Sequence, residues 1–323
     1  MTRMASKKNN IQSASRSASE DAPASTSIKT FDLTKNSDVI SLVREDDEAL
    51  TQKLVGEHLN KIVASHGLTD YLVLILFDEL DSISSYHSDK IYQAASISPG
   101  EKNIFLIVQS GGGRIEPAYL ISKTCKRLSR GKFAVAVPRR AKSAATLLSL
   151  GADEIHMGLM SELGPIDPQI GGYPALGLAN ALNKLAELAS RFPGASDMMA
   201  NYLTKNLNLR DLGYFERISE SAAQYAQRLL TGKSFPDPHT SETLSKHFVD
   251  HYKDHGFVID SDEATTLLGE MVKIDTPEYK CANEIYRFFD FFEMALRFFV
   301  NKEFYYVGTL DGGLSIRSRG KNT

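Results

Sequence analysis

Residues 103–157 read NIFLIVQSGGGRIEPAYLISKTCKRLSRGKFAVAVPRRAKSAATLLSLGADEIHM, and their rhythm decides the fold. NIFLIV (103–108) is a short unbroken apolar run, the pattern of a strand buried on both faces. SGGG turns the chain, and 116–128 carries the apolar spacing of a helix. FAVAVP (133–138) is the next buried strand, 143–150 a short helix and DEIHMG (153–158) a further strand. Upstream, LVLILF (72–77) is an equivalent run, and 89–95 reads as a helix. Strands alternating with helices in this way predict repeated βαβ units and a mostly parallel sheet, an α/β fold.

The flanks differ in character. Residues 1–30 are rich in Ser, Ala, Lys and Asn with no aromatic residue, a composition expected to be disordered. A helix is predicted over 45–67, leading into the first strand. Beyond Pro168 the pattern becomes helical, over 176–192, 197–204 and 219–230, and PDPHTS (236–241) turns into another helix with Ser241 as its cap. The last part is an aromatic helix over 283–301 and a hairpin, FYYVGTLDGGLSIRS (304–318), turning at Asp311-Gly312-Gly313. The expected division is a disordered segment 1–30, a main domain 31–275 and a tail 276–323. In that tail Tyr286, Phe288, Phe289, Phe291, Phe292, Phe298 and Phe299 form a broad apolar surface, read as core, with an oligomer interface as the alternative.

The bulk properties exclude several classes. The 323 residues carry 37 Lys and Arg against 40 Asp and Glu, net −3, so no global field recruits nucleic acid or anionic lipid. Two cysteines, Cys125 and Cys281, stand far apart in no metal-ligand spacing, which fits a reducing compartment. No apolar stretch is long enough to span a bilayer, and no secretory signal is evident. The expectation is a soluble cytoplasmic protein without cofactor or metal.

Two segments carry chemistry. Gln109-Ser110-Gly111-Gly112-Gly113 lies between a strand and a helix, where glycines let a ligand approach the main chain and free N–H groups can hold developing negative charge. Its spacing matches neither a dinucleotide fingerprint nor a P-loop. Arg139-Arg140-Ala141-Lys142-Ser143-Ala144-Ala145 delivers a serine to the start of a small-residue helix. Taken alone, Ser143 reads as an N-cap. Neighbouring parallel strands, however, bring both loops to one carboxyl edge of the sheet. There the amides of Gly112 or Gly113 and of Ala144 can serve as an oxyanion hole beside Ser143 as nucleophile.

QSGGG, AKSAATLLSLGADEIHM and SELGPIDPQ resemble the ClpP and signal-peptide-peptidase A class. PALGLANAL, ESAAQYAQRLL and YKDHGFVIDSDEA resemble its serine dehydrogenase proteinase branch. The resemblance, over about 72–271, implies a ClpP/crotonase-like fold of stacked ββα units. It also implies a homo-oligomer and a serine peptidase acting on peptide or unfolded protein, with Ser143 as nucleophile and Gly113 and Ala144 as oxyanion donors. A crotonase-like acyl-CoA-binding enzyme and an inactive scaffold are the alternatives.

A lysine is the expected general base, its identity open among Lys184, Lys205 and, as the non-lysine candidate, His255. SELGPIDPQ contains no histidine, and His156 on the fourth strand reads as structural. Lysine-using relatives point to Lys184, 41 residues after Ser143, flanked by Leu182 and Leu185; Lys205 is a second lysine candidate. His255, beside Gly256, reads as a turn residue or as the base, and Asp167 as a loop residue or the group that orients a base.

Overall fold

Both faces of the central apolar runs are covered, which is why they are continuous rather than alternating. The computed structural model describes residues 30–170, 173–206 and 209–320, so the disorder expected for 1–30 falls, but for Thr30, outside the described residues. Strands β1 (Tyr71–Asp78), β2 (Asn103–Ser110), β3 (Phe133–Ala136), β4 (Arg140–Ala141), β5 (Glu154–Met157), β6 (Glu162–Leu163), β7 (Gln169–Ile170), β8 (Tyr173–Pro174), β9 (Val272–Ile274), β10 (Lys302–Thr309) and β11 (Leu314–Ser318) follow in chain order. The main sheet runs β11-β10-β1-β2-β3-β5-β9. Its centre is parallel, and β10 joins β1 antiparallel, pairing Leu74 with Thr309 and Phe77 with Tyr306.

Eleven α-helices lie among the described residues: α1 (Asn36–Glu45), α2 (Glu48–Ser65), α3 (Ser85–Ala95), α4 (Ile115–Leu128), α5 (Ala144–Leu150), α6 (Ala175–Arg191), α7 (Ser196–Asn206), α8 (Leu209–Leu230), α9 (Ser241–Lys246), α10 (Ser261–Leu268) and α11 (Pro277–Val300). Alternate strand residues face opposite layers. Leu74, Leu76, Leu106, Val108 and Val135 pack with α3, α4, α5 and α8; Val73, Ile75, Phe77, Phe105 and Ile107 pack with α1, α2 and α11. The aromatic helix is mostly core: Phe289 meets Phe77, Phe304 and Tyr306 at ring distances of 5.0, 5.3 and 5.1 Å, while Phe298 is 80% exposed. Truncating a fully buried phenylalanine such as Phe289 costs about 3–5 kcal/mol.

A second, shorter layer branches from the first. β2 pairs with β3 along 104–107 and then passes Ser110 to Ala141 of β4, which in turn pairs with β6. Ile83 likewise bridges Gly113. Strands β1, β2 and β3 are thus each followed by a short extended segment in the second layer and a helix, the expected stacked ββα arrangement.

The anticipated strands and helices around the glycine turn are present within a few residues. Some differences lie at the ends of elements. Thr240 rather than Ser241 caps α9, because its side chain accepts from the Thr243 N–H. Helix α8 begins at Leu209, ten residues before the expected start, continuing through Gly213. Helices α1 and α10 and strand β9 were not anticipated; each is short and marginal until it packs on the sheet.

Helix α5 is held from below by Lys233, whose Nζ donates to the carbonyls of Leu150 and Ala152 at 2.6 and 2.5 Å. Burial pushes this amine down to about 7, and a neutral amine has the two N–H groups these acceptors need. The folded value lies below the unfolded one, so the unfolded chain binds the extra proton and stability rises as pH climbs above 7. Urea unfolding at pH 7 and pH 9 is therefore expected to show the wild type gaining on Lys233→Met, by on the order of 1 kcal/mol per pH unit.

Candidate active site

The short second layer brings three loops to the carboxyl ends of β1, β2 and β3. Gln109 at the end of β2 ties them together: its Nε2 donates to Glu79 at 2.5 Å and its Oε1 accepts from Arg140 N at 3.1 Å, while Arg140 Nε donates to the same Glu79 at 3.0 Å.

Ser143 stands at the N-cap position of α5, yet it does not cap. Its side chain makes no hydrogen bond to the helix end, and its backbone has φ 52° and ψ −118°. Positive φ at a non-glycine residue costs about 1–3 kcal/mol and persists only where the surroundings enforce it. Here the Lys142 N–H donates to Ser110 O at 3.1 Å, and Leu147 N–H to Ser143 O at 3.0 Å. Thr146 Oγ1 bonds Ala141 O at 2.6 Å and receives the Gly164 N–H at 2.9 Å. Lys142, only 15% exposed, is spent on this scaffold: its Nζ reaches Leu163 O, Phe257 O and Glu162.

The glycine loop abuts this turn. A Cβ on Gly112 (φ +106°) would lie 2.8 Å from Ser143 Cβ and 2.7 Å from Lys142 O; one on Gly113 (φ +151°) would lie 2.3 Å from Ile83 N. Of the three expected oxyanion donors, Gly112 has its N–H turned to Ser110 Oγ at 3.2 Å. The N–H groups of Gly113 and Ala144 have no acceptor among the described residues.

Asp167 and His255, 88 residues apart, meet at 2.7 Å between Oδ1 and Nδ1. The meeting is enforced by main-chain bonds: Leu163 and Ile259 exchange N–H···O bonds of 2.9 and 3.1 Å, and Ile166 N donates to Phe248 O at 2.9 Å. Asp167 is 3% exposed, and its second oxygen accepts from Gln169 Nε2 at 2.8 Å. With its Nδ1–H given to Asp167, a neutral His255 carries its lone pair on Nε2. Ser143 and His255 line one cavity of about 540 Å³ together with Gly112, Gly113, Leu80, Arg114, Ile166 and Tyr214.

The lysines lie elsewhere. Lys184 is 62% exposed on α6 and paired with Glu187 at 2.8 Å; Lys205 is exposed on α7; neither lines the cavity. His156 is buried, bonded to Thr276 Oγ1 at 2.8 Å and close to Glu154, with its pKa lowered mainly by burial. Sequence reasoning named both Asp167 and His255 but did not connect them; the only signal was that each stood in a separate family-like motif.

Residues 72–205 match the family of ClpP-like SDH-type serine proteinases. The match takes in the glycine loop, the Ser143 turn and Asp167, whereas His255 lies beyond it. The recognition of this class from the motifs is therefore sound, and so is the fold class. An uncharacterized protein of Methanocaldococcus jannaschii is 28% identical over 210 residues, which is 65% of this chain and 65% of that protein. A second from the same organism is 35% identical over 103 residues, 32% of this chain and 35% of that protein. The chain thus spans less than two thirds of the length of either relative. Two solved structures of the 1510-N membrane-bound stomatin-specific protease, one a lysine mutant with a substrate peptide and one a serine mutant, are each 15% identical. They have TM-scores of 0.40 and 0.41, covering 64% and 69% of this chain and 76% and 86% of theirs. Among the described residues no helix is long and apolar enough to cross a membrane.

The close approach of Gly112 to Ser143 makes a specific expectation. Gly112→Ala should displace the serine turn, lowering stability by about 1–3 kcal/mol. Far-ultraviolet circular dichroism should stay unchanged while reactivity of Ser143 towards a serine-directed probe falls.

Proposed function

We propose that this ClpP-like chain is a serine peptidase with Ser143 as nucleophile, His255 as general base and Asp167 as the group that orients it. The carrying observation is that His255, held by Asp167 at 2.7 Å, lines the same cavity as a strained, non-capping serine. A lysine base receives no comparable support, since Lys184 is exposed and paired with Glu187.

The chemistry follows from the side chains. His255 Nε2 accepts the Ser143 Oγ proton as Oγ attacks a carbonyl carbon, and the Asp167 carboxylate stabilises the imidazolium through Nδ1–H. Negative charge developing on the carbonyl oxygen is met by the N–H groups of Gly113 and Ala144, which have no competing acceptor among the described residues. The imidazolium then protonates the leaving amine, and water attacks the acyl-enzyme with His255 again as base. The substrate expected on this reading is an extended peptide pairing strand-like with the main chain beside the glycine turn.

The test is labelling of the purified protein by a fluorophosphonate. Wild type is expected to label and Ser143→Ala not at all. His255→Ala should label at least 10²-fold more slowly (about the weight of a general base), and Lys184→Ala at the wild-type rate. A folded wild type that fails to label would turn the reading towards a crotonase-like protein that binds acyl-CoA through the same loop, or an inactive scaffold.

A further inference from the structure

A second buried Asp–His pair lies under the other side of the site. Asp78, the last residue of β1, and His87, in the first turn of α3, are 2% exposed each and meet at 3.0 Å between Oδ2 and Nε2. The first pair borders the cavity through a partly exposed imidazole, whereas this imidazole is sealed, so it is no candidate for proton transfer with substrate. Its hydrogen bonds run instead into the loop between β1 and α3. The Ser84 N–H donates to His87 Nδ1 at 3.1 Å, with Ser84 Oγ at 3.2 Å from the same nitrogen. Nδ1 is therefore the acceptor and Nε2–H the donor to Asp78. The other Asp78 oxygen accepts from Leu80 N at 2.9 Å and Asp81 N at 2.8 Å.

These bonds hold residues 80, 81 and 84 and close the loop between 78 and 87, and Ile83 in that loop is what the glycine turn leans on. Ile83 N–H donates to Gly112 O at 2.8 Å, and Arg114 N–H donates to Ile83 O at 2.9 Å, bracketing Gly113. Nothing but hydrogen lies between the Gly113 Cα and Ile83, since a Cβ there would stand 2.3 Å from Ile83 N. A shift of Ile83 is passed directly to the Gly113 N–H. We infer that Asp78 and His87 are positioning residues that set the oxyanion loop through Ile83, an inference that rests on the serine hydrolase reading above.

The wiring makes a discriminating variant available. In Asp78→Asn the side-chain oxygen must still serve Leu80 and Asp81, so the amide nitrogen faces His87 Nε2. A donor then meets a donor, and turning the imidazole to the other tautomer sets Nδ1–H against the Ser84 N–H. The isosteric change thus breaks the chain without opening a cavity, whereas His87→Ala breaks it by deletion.

The experiment measures hydrolysis of a small p-nitrophenyl ester by wild type, Asp78→Asn and His87→Ala, with kcat expressed per active site titrated by burst amplitude. A misplaced oxyanion donor should lower kcat by roughly 10- to 100-fold in both variants, less than outright removal of a donor. KM should stay within about threefold, because the ester makes no groove contacts to lose. A role in stability alone would lower the melting temperature and the titrated fraction while leaving kcat per titrated site at the wild-type value; that result in Asp78→Asn overturns the inference. A wild type that neither labels with fluorophosphonate nor turns over the ester overturns the hydrolase reading, and this inference falls with it.

Discussion

Three stretches of main chain meet where no side chain can stand. Ile83, Gly112–Gly113 and the Lys142–Ser143 turn come so close that a methyl group at either glycine would overlap backbone or the Ser143 side chain. That contact sets the register of the second layer, because Ile83 pairs with Gly113 and Ser110 with Ala141. It also supplies one wall of the confinement that keeps Ser143 at φ 52°. The strain is tolerable because it is surrounded by rigid structure: Ala141, Ala144, Ala145, Leu147 and Leu148 are all fully buried.

Around this contact the molecule uses two kinds of support. The apolar layers on both faces of the sheet fix the strands, and a short ladder of hydrogen bonds fixes the loops that leave them. Lys142 joins the serine turn to the chain at Phe257, two residues after His255, and the Leu163–Ile259 exchange joins the Asp167 loop to the same segment. The Ser143 turn and the Asp167–His255 pair are therefore not independent: both hang on β6 and the stretch 257–259. An imidazole on an exposed loop alone would sample many orientations, and it is the 3%-exposed carboxylate of Asp167 that narrows them.

Legibility differed by kind of interaction. The buried parallel strands were readable because burial on both faces leaves an unbroken apolar run, and the glycine turn because three glycines between a strand and a helix mark a tight bend. Ser143 was half readable: its position at a helix start pointed to a cap, and its dihedrals and missing cap bond rule that role out. The lysine reading of 184 drew on apolar neighbours at 182 and 185, but one helical turn decides which face a side chain takes, and Lys184 takes the outer one. Asp167 and His255 carried no local sign of each other, since nothing in the spacing of two residues 88 apart records a main-chain bridge elsewhere.

Apolar periodicity and the placement of glycine are local physical facts, and by themselves they determined the α/β architecture, the order of the central strands and helices, and the edge at which the glycine loop and Ser143 gather. The partners of those residues were settled only in three dimensions. The Asp167–His255 pair, the commitment of Lys142 to scaffold bonds and the Asp78–His87 support beneath Ile83 all depend on long-range closure of loops. Hydrogen-bond geometry is decided within tenths of an ångström, a scale that strand and helix patterning does not encode.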